Sequence, residues 1–146
     1  MTDHAPKLTI AEVMIQPVHR LTPEMTVQKA IEILIRYAIS GAPIVDQNDV
    51  LLSVVSEGDM LRLAASEGFE ATLAHCLTHL KPAKAMITVE KHHSFADAYR
   101  LILKHSLHRL VVVDSAMKLQ GLVTRSDILR LLIEARYGKK LPPRKN

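Results

Sequence analysis

The chain has one cysteine, no tryptophan, two phenylalanines and three tyrosines in 146 residues. A lone thiol, Cys76, forms no internal disulfide. So few rings make poor material for a base-stacking surface. No apolar run approaches the roughly 18 residues of a membrane span. The first residues, MTDHAPKLT, lack a signal-peptide core. The expectation is a soluble, cytoplasmic protein without a membrane partner. No Walker loop, GxGxxG or nucleophile elbow is present, so no catalytic residues and no enzyme are expected. His75 and His79 are spaced to share a helix face, with Cys76 alongside and His92-His93 downstream. No second cysteine or HExxH completes a metal set, and no metal is expected.

What is present is apolar material, 48% of residues, enough for a core. The net charge of +4 has a location. Residues 139–146, KKLPPRKN, form a basic tail holding Lys139, Lys140, Arg144 and Lys145. Without those four, 15 basic residues face 15 acidic ones. The basic pI therefore belongs to a short tail and not to a folded nucleic-acid surface.

The chain repeats itself at an offset of 68. TVQKAIEILIRYAISGAPIVDQNDVLLSVVSEGDMLRL from Thr26 matches SFADAYRLILKHSLHRLVVVDSAMKLQGLVTRSDILRL from Ser94. Val27, Ala30, Ile31, Leu34, Ile35 and Ala38 follow helical spacing, with Thr26 as N-cap. Ser94 and Asp97 make a capping-box start for the matching helix. Two β-rich runs follow in each copy, 42–45 and 50–55, then 110–113 and 119–123, around the turns DQND and SAMK. A second helix starts near Asp59 and near Asp127. Apolar lead-ins from Met14 and Met86 supply a first strand. The pattern in each copy is strand, helix, strand, strand, helix. A unit of about 50 residues buries too little surface to stand alone, so two would pack together.

Each copy also places a hydroxyl and a carboxylate three residues apart where a strand enters a helix: Ser56 with Asp59, and Thr124 with Asp127. A carboxylate accepts hydrogen bonds from two neighbouring hydroxyls, as a ribose offers. A helix start favours negative charge nearby. Gly121 would let a ligand or a second backbone approach. The same residue types are also ordinary helix caps. His108 and Arg109, before a strand, offer donors to a phosphate.

LHRLVVVD with GLVTRSDIL, and SGAPIVD with SVVSEGDML, resemble the cystathionine-β-synthase (CBS) domain family as a tandem pair, over roughly residues 8–136. The resemblance implies an α/β (α+β) fold of two β-α-β-β-α CBS repeats packed sheet to sheet with pseudo-two-fold symmetry. The organisation is repeat 1 over 8–66, a helical linker over 67–82, repeat 2 over 83–136 and the tail. No catalytic domain or transporter accompanies the pair, as in stand-alone bacterial members.

The family's site carries over residue by residue. Asp127 would meet a ribose and Thr124 a ribose or phosphate. Ile87, Thr88, Leu110 and Val111 would lie near the adenine, with His108, Arg109 and Arg125 supplying positive charge. Repeat 1 is the weaker match: Val18, Ala42, Pro43, Ser56 and Asp59 correspond, but Ser40-Gly41 replace His-Arg, Ser53 replaces Gly121 and Glu57 replaces Arg125. The implied function is a regulatory module. It would sense an adenine nucleotide or S-adenosylmethionine between its repeats, need no cofactor, and act as a homodimer on an unidentified regulated protein. Ile33, Leu101, Leu103 and Leu132 lie off the main helical stripes and suggest the dimer surface. The rival readings are an interaction scaffold in which T-x-x-D is only a cap, and weak nucleic-acid binding through the tail.

Overall fold

Five helices begin on a hydroxyl residue whose side chain accepts the N–H three positions on: Thr26, Ser56, Thr72, Ser94 and Thr124. That chemistry sets the element boundaries. The computed structural model describes residues 6–142. In chain order the elements are α1 (Ile10–Val13), α2 (Val27–Arg36), β1 (Gly41–Val45), β2 (Leu51–Ser56), α3 (Glu57–Ser66) and α4 (Leu73–Cys76). There follow β3 (Thr88–Val89), α5 (Phe95–His105), β4 (Arg109–Val113), β5 (Leu119–Thr124) and α6 (Arg125–Tyr137). Single 3₁₀ turns lie at Leu77–His79 and Ala83–Ala85.

The repeat is exact at the level of strand register. Gly41 pairs with Ser56 as Arg109 pairs with Thr124, and Ile44 with Ser53 as Val112 with Gly121. A register shift follows at Ile44/Val45 and again at Val112/Val113. Both hairpins turn on an aspartate whose carboxylate accepts two backbone N–H groups. Asp46 takes Asn48 and Val50; Asp114 takes Ala116 and Lys118.

The first strands differ from the expectation. β3 is two residues long and parallel to β4. The lead-in of the first repeat forms no strand; it makes only the isolated bridges of Ile15 with Leu122 and Leu21 with Ile44. Pro17, with no N–H to donate, interrupts this lead-in. Upstream, Thr9 and Glu12 form a capping box that starts α1 instead.

The compact units interleave along the chain. One holds the described residues up to Val18 and from Ile87 onward; the other holds His19–Met86. The segment before each hairpin-bearing stretch therefore packs in the unit of the other repeat. Thr9 bridges Ser94 in one unit as Thr72 bridges Thr26 in the other. TIAEV and TLAHC are the matching segments. Each unit has its own core. Phe95, Ile10, Val89, Leu110, Val112, Val123 and Ile128 fill one; Leu21, Val27, Ile44, Val55, Met60, Leu73 and Cys76 fill the other. Full burial of a side chain such as Phe95 stabilises by about 1.5–3 kcal/mol.

Position 121 and its counterpart 53 show how the incoming segments dock. A Cβ at Gly121 would lie 2.5 Å from Met14 Sδ and 2.8 Å from Met14 Cγ. Gly121 thus makes room for Met14, which packs against the core. In the other unit Ser53 is buried, and its hydroxyl donates to the Lys81 carbonyl at 2.7 Å.

Candidate functional site

The strand ladder brings most of the expected repeat-2 residues together. Thr88 pairs with Val111, and Arg109 with Thr124. The Arg125 N–H donates to the His108 carbonyl at 3.3 Å, tying the entry of β4 to the exit of β5. Ile87 packs against the core just before β3. Leu110 is fully buried among core residues, so its side chain is spent on packing. Arg125 does not turn towards the carboxylate. Its Nε donates to the Leu107 carbonyl at 2.6 Å and its Nη2 to the Ser106 carbonyl at 3.0 Å, clasping the turn after α5.

Thr124 and Asp127 form a complete capping box. Asp127 Oδ2 accepts the Thr124 N–H at 2.9 Å and its hydroxyl at 2.8 Å. Among the described residues the other oxygen, Oδ1, has only Arg130 Nη2 at 3.9 Å, beyond hydrogen-bond reach. The Asp127 side chain is 4% exposed. The cap therefore uses one oxygen and leaves the second as a shielded acceptor, where a charge-assisted hydrogen bond is strong.

In the other unit Ser56 and Asp59 repeat the box: Oδ2 accepts the Ser56 N–H at 2.8 Å and its hydroxyl at 3.0 Å. Here Oδ1 is taken, since Arg62 Nη2 donates to it at 2.6 Å. Ala42 and Pro43 are buried in the β1 strand, with Ala42 in the core. Val18 falls in the compact unit of repeat 2, whereas Ala42, Pro43, Ser56 and Asp59 fall in that of repeat 1. The residues that sequence reasoning missed are Arg62 and Arg130, three positions after each carboxylate. The matched Leu-Arg pairs at 61–62 and 129–130 were their signal.

The histidines take a different place. His75 and His79 both reach Glu67 Oε1, at 3.1 and 3.4 Å. Among the described residues no group of three or more His, Cys, Asp or Glu is placed to hold a metal ion. Cys76 is buried, and burial, then the charge of Glu67, pushes its thiol pKa up. No helix among the described residues is long and apolar enough to cross a membrane.

Known proteins share this fold. The CBS domain model matches residues 10–66 and again 78–134. The uncharacterized protein MJ1232 of Methanocaldococcus jannaschii is 29% identical over 127 residues, covering 87% of this chain and 40% of that one. CBSX2 of Arabidopsis thaliana, a chloroplastic CBS domain-containing protein, is 26% identical over 144 residues, covering 82% of this chain and 60% of that one. The chain thus spans less than two thirds of the length of either relative. The crystal structure of CBSX2 in complex with AMP superposes with a TM-score of 0.74 at 27% identity, covering 88% of this chain and 98% of that one. The CBS pair of MJ0100, in complex with 5-methylthioadenosine and S-adenosyl-L-methionine, shares the fold with a TM-score of 0.72 at 21% identity, covering 86% and 96%. Two family matches on two copies of one strand–helix register make this chain a member of the CBS domain family, carrying a tandem pair of repeats.

Proposed function

We propose that the protein is a regulatory module that binds an adenosine-containing ligand, AMP or a related nucleotide or S-adenosylmethionine, and that repeat 2 holds it. The observation that carries this reading is the unshared Oδ1 of Asp127. A shielded carboxylate oxygen beside the Thr124 hydroxyl suits the paired hydroxyls of a ribose. His108 and Arg109 stand at the entry of β4 for the phosphate, and Ile87, Thr88 and Val111 for the adenine. The AMP complex of CBSX2 supports the ligand class. Repeat 1 binds more weakly, because Arg62 already occupies the equivalent oxygen of Asp59. Regulation follows if the ligand favours one of two states of the module.

Charged hydrogen bonds are worth about 1.5–3 kcal/mol. Asp127→Ala should therefore weaken AMP binding about tenfold or more, and Asp59→Ala should weaken it less. Titration calorimetry on both variants, each confirmed folded by circular dichroism, decides this. Loss on Asp59→Ala with Asp127→Ala unaffected would assign the ligand to repeat 1.

The module acts as a homodimer in this reading. Ile35 and Leu103 are repeat-equivalent and exposed, as are Leu61 and Leu129. In the unit of repeat 2, Leu103 and Leu129 line a groove of about 300 Å³ on α5 and α6 together with Tyr99 and Leu132. Ile33, Leu101 and Leu132 pack against their own cores, so of the off-stripe residues Leu103 is the exposed one. Apolar residues repeated on matching helix faces suit a second copy of the chain. Light scattering at tens of micromolar should give twice the chain mass; a sharp monomer would refute the dimer.

A further inference from the structure

Glu134 lies two helical turns after Asp127 on α6, and its repeat counterpart is Ser66. That difference accompanies the unequal geometry of the two arginines. In repeat 1, with no acid at 66, Arg62 closes on Asp59 at 2.6 Å. In repeat 2, Arg130 Nη1 lies 3.5 Å from Glu134 Oε2, and its Nη2 stays 3.9 Å from Asp127. The Arg130 Nε is buried without an acceptor, as befits a guanidinium stretched between two carboxylates. Glu134 is in turn gripped by the C-terminal segment. The Leu141 N–H donates to its Oε2 at 2.9 Å, and Lys140 Nζ lies 3.9 Å from Oε1. The Leu141 hydrogen bond is the largest influence holding the Glu134 carboxyl below its ordinary pKa, so it stays charged.

We propose that Glu134 is a positioning residue for the ligand site: fixed by the C-terminal segment, it draws Arg130 off Asp127 and keeps Asp127 Oδ1 open to the hydroxyls of the ligand. This rests on the reading of Asp127 as the ribose-binding carboxylate. It gives the residues after α6 a regulatory role, because whatever detaches Leu141 and Lys140 from Glu134 frees Arg130 to close the site. It also explains why repeat 1 is the weaker site, and it names the residue, Ser66, at which that repeat can be opened.

The test is calorimetry of the full-length protein with AMP. The Arg130 and Glu134 side chains are only 21% and 12% exposed, and removing the competing carboxylate of such an i,i+4 pair should weaken AMP about two- to fivefold in Glu134→Gln. Adding Arg130→Met to Glu134→Gln should restore the affinity by removing the competing guanidinium. A merely structural role for Glu134 would not produce that rescue. Deletion of residues 139–146 should weaken AMP in the same direction. Ser66→Glu should strengthen binding at repeat 1, since the new carboxylate stands four residues from Arg62. A crystal structure of Glu134→Gln should show Arg130 within hydrogen-bond distance of Asp127. Unchanged affinity in Glu134→Gln, while Asp127→Ala still loses AMP, overturns the inference and leaves the functional reading standing. Loss of affinity in Glu134→Gln without rescue by Arg130→Met also overturns it. If the unaltered protein binds no AMP, the functional reading falls and the inference with it.

Discussion

Gly121→Ala tests whether the glycine in GLVTRSDI serves the core or the ligand. The added Cβ would sit 2.5 Å from Met14 Sδ, 2.8 Å from its Cγ and 3.0 Å from its Cβ. The thioether can swing away, but the Met14 Cβ moves only with its backbone. That backbone is held by the Met14 N–H to the Ile10 carbonyl at 2.8 Å and by paired hydrogen bonds between Ile15 and Leu122. Overpacking of this kind costs about 1–3 kcal/mol. The lower entropy of alanine in a strand returns about 0.5–1 kcal/mol. The net loss, about 0–2.5 kcal/mol with a midpoint near 1, lowers the melting temperature of a chain this size by roughly 2–4 °C per kcal/mol. Met14→Ala removes Sδ and Cγ, so the double variant should recover part of the loss. A coupling energy of about 0.5–3 kcal/mol is expected for residues in contact. Urea melts of the four proteins in the cycle measure it. Zero coupling with unchanged stability would refute the placement of Met14. If Gly121→Ala instead keeps its stability and loses AMP, the glycine makes room for the ligand after all.

Three further outcomes follow from the fold. Ser94→Ala should destabilise by about 1 kcal/mol, the usual worth of an N-cap, since it removes the acceptor for the Asp97 N–H; an unchanged urea midpoint would count against this cap. The Asp97 carboxyl is held below its ordinary value of 3.8, first by the Ser94 N–H and then by Arg100. Its contribution is therefore present above that value and fades as pH falls through the lowered one, so Asp97→Asn should cost stability at neutral pH and much less in strong acid. Cys76 should resist maleimide in the folded protein and react on denaturation, because its thiol is buried and its pKa raised; fast labelling of the native chain would contradict the core of the His19–Met86 unit.

Much of this architecture was legible because local chemistry repeats. Thr26, Ser94 and the two hydroxyl–carboxylate pairs announce helix starts through hydrogen bonds made within three residues, and these formed as spaced. The hairpins were legible for the same reason, through Asp46 and Asp114. Interleaving of the units was not, because it depends on contacts between Thr9 and Ser94, far apart in sequence. The similarity of TIAEV to TLAHC was the available sign. The neighbours of Gly121 and Arg125 were not legible, because residue type does not say which group arrives first: Met14 lies against the glycine, and the carbonyls of Leu107 and Ser106 accept from the guanidinium. The role of Glu134 needed helix geometry and the return of Leu141, neither written in a motif.

The most direct test of the account is the melting temperature of the unaltered protein with AMP, ADP, ATP or S-adenosylmethionine. A ligand at 100 times its dissociation constant adds about 2.7 kcal/mol, which here is roughly 5–10 °C. The account predicts a rise of that size with at least one of the four. No rise beyond about a degree at millimolar concentrations of all four, where even a 100 µM binder adds more than 1 kcal/mol, would mean that the Thr124–Asp127 pair is a helix cap and nothing more.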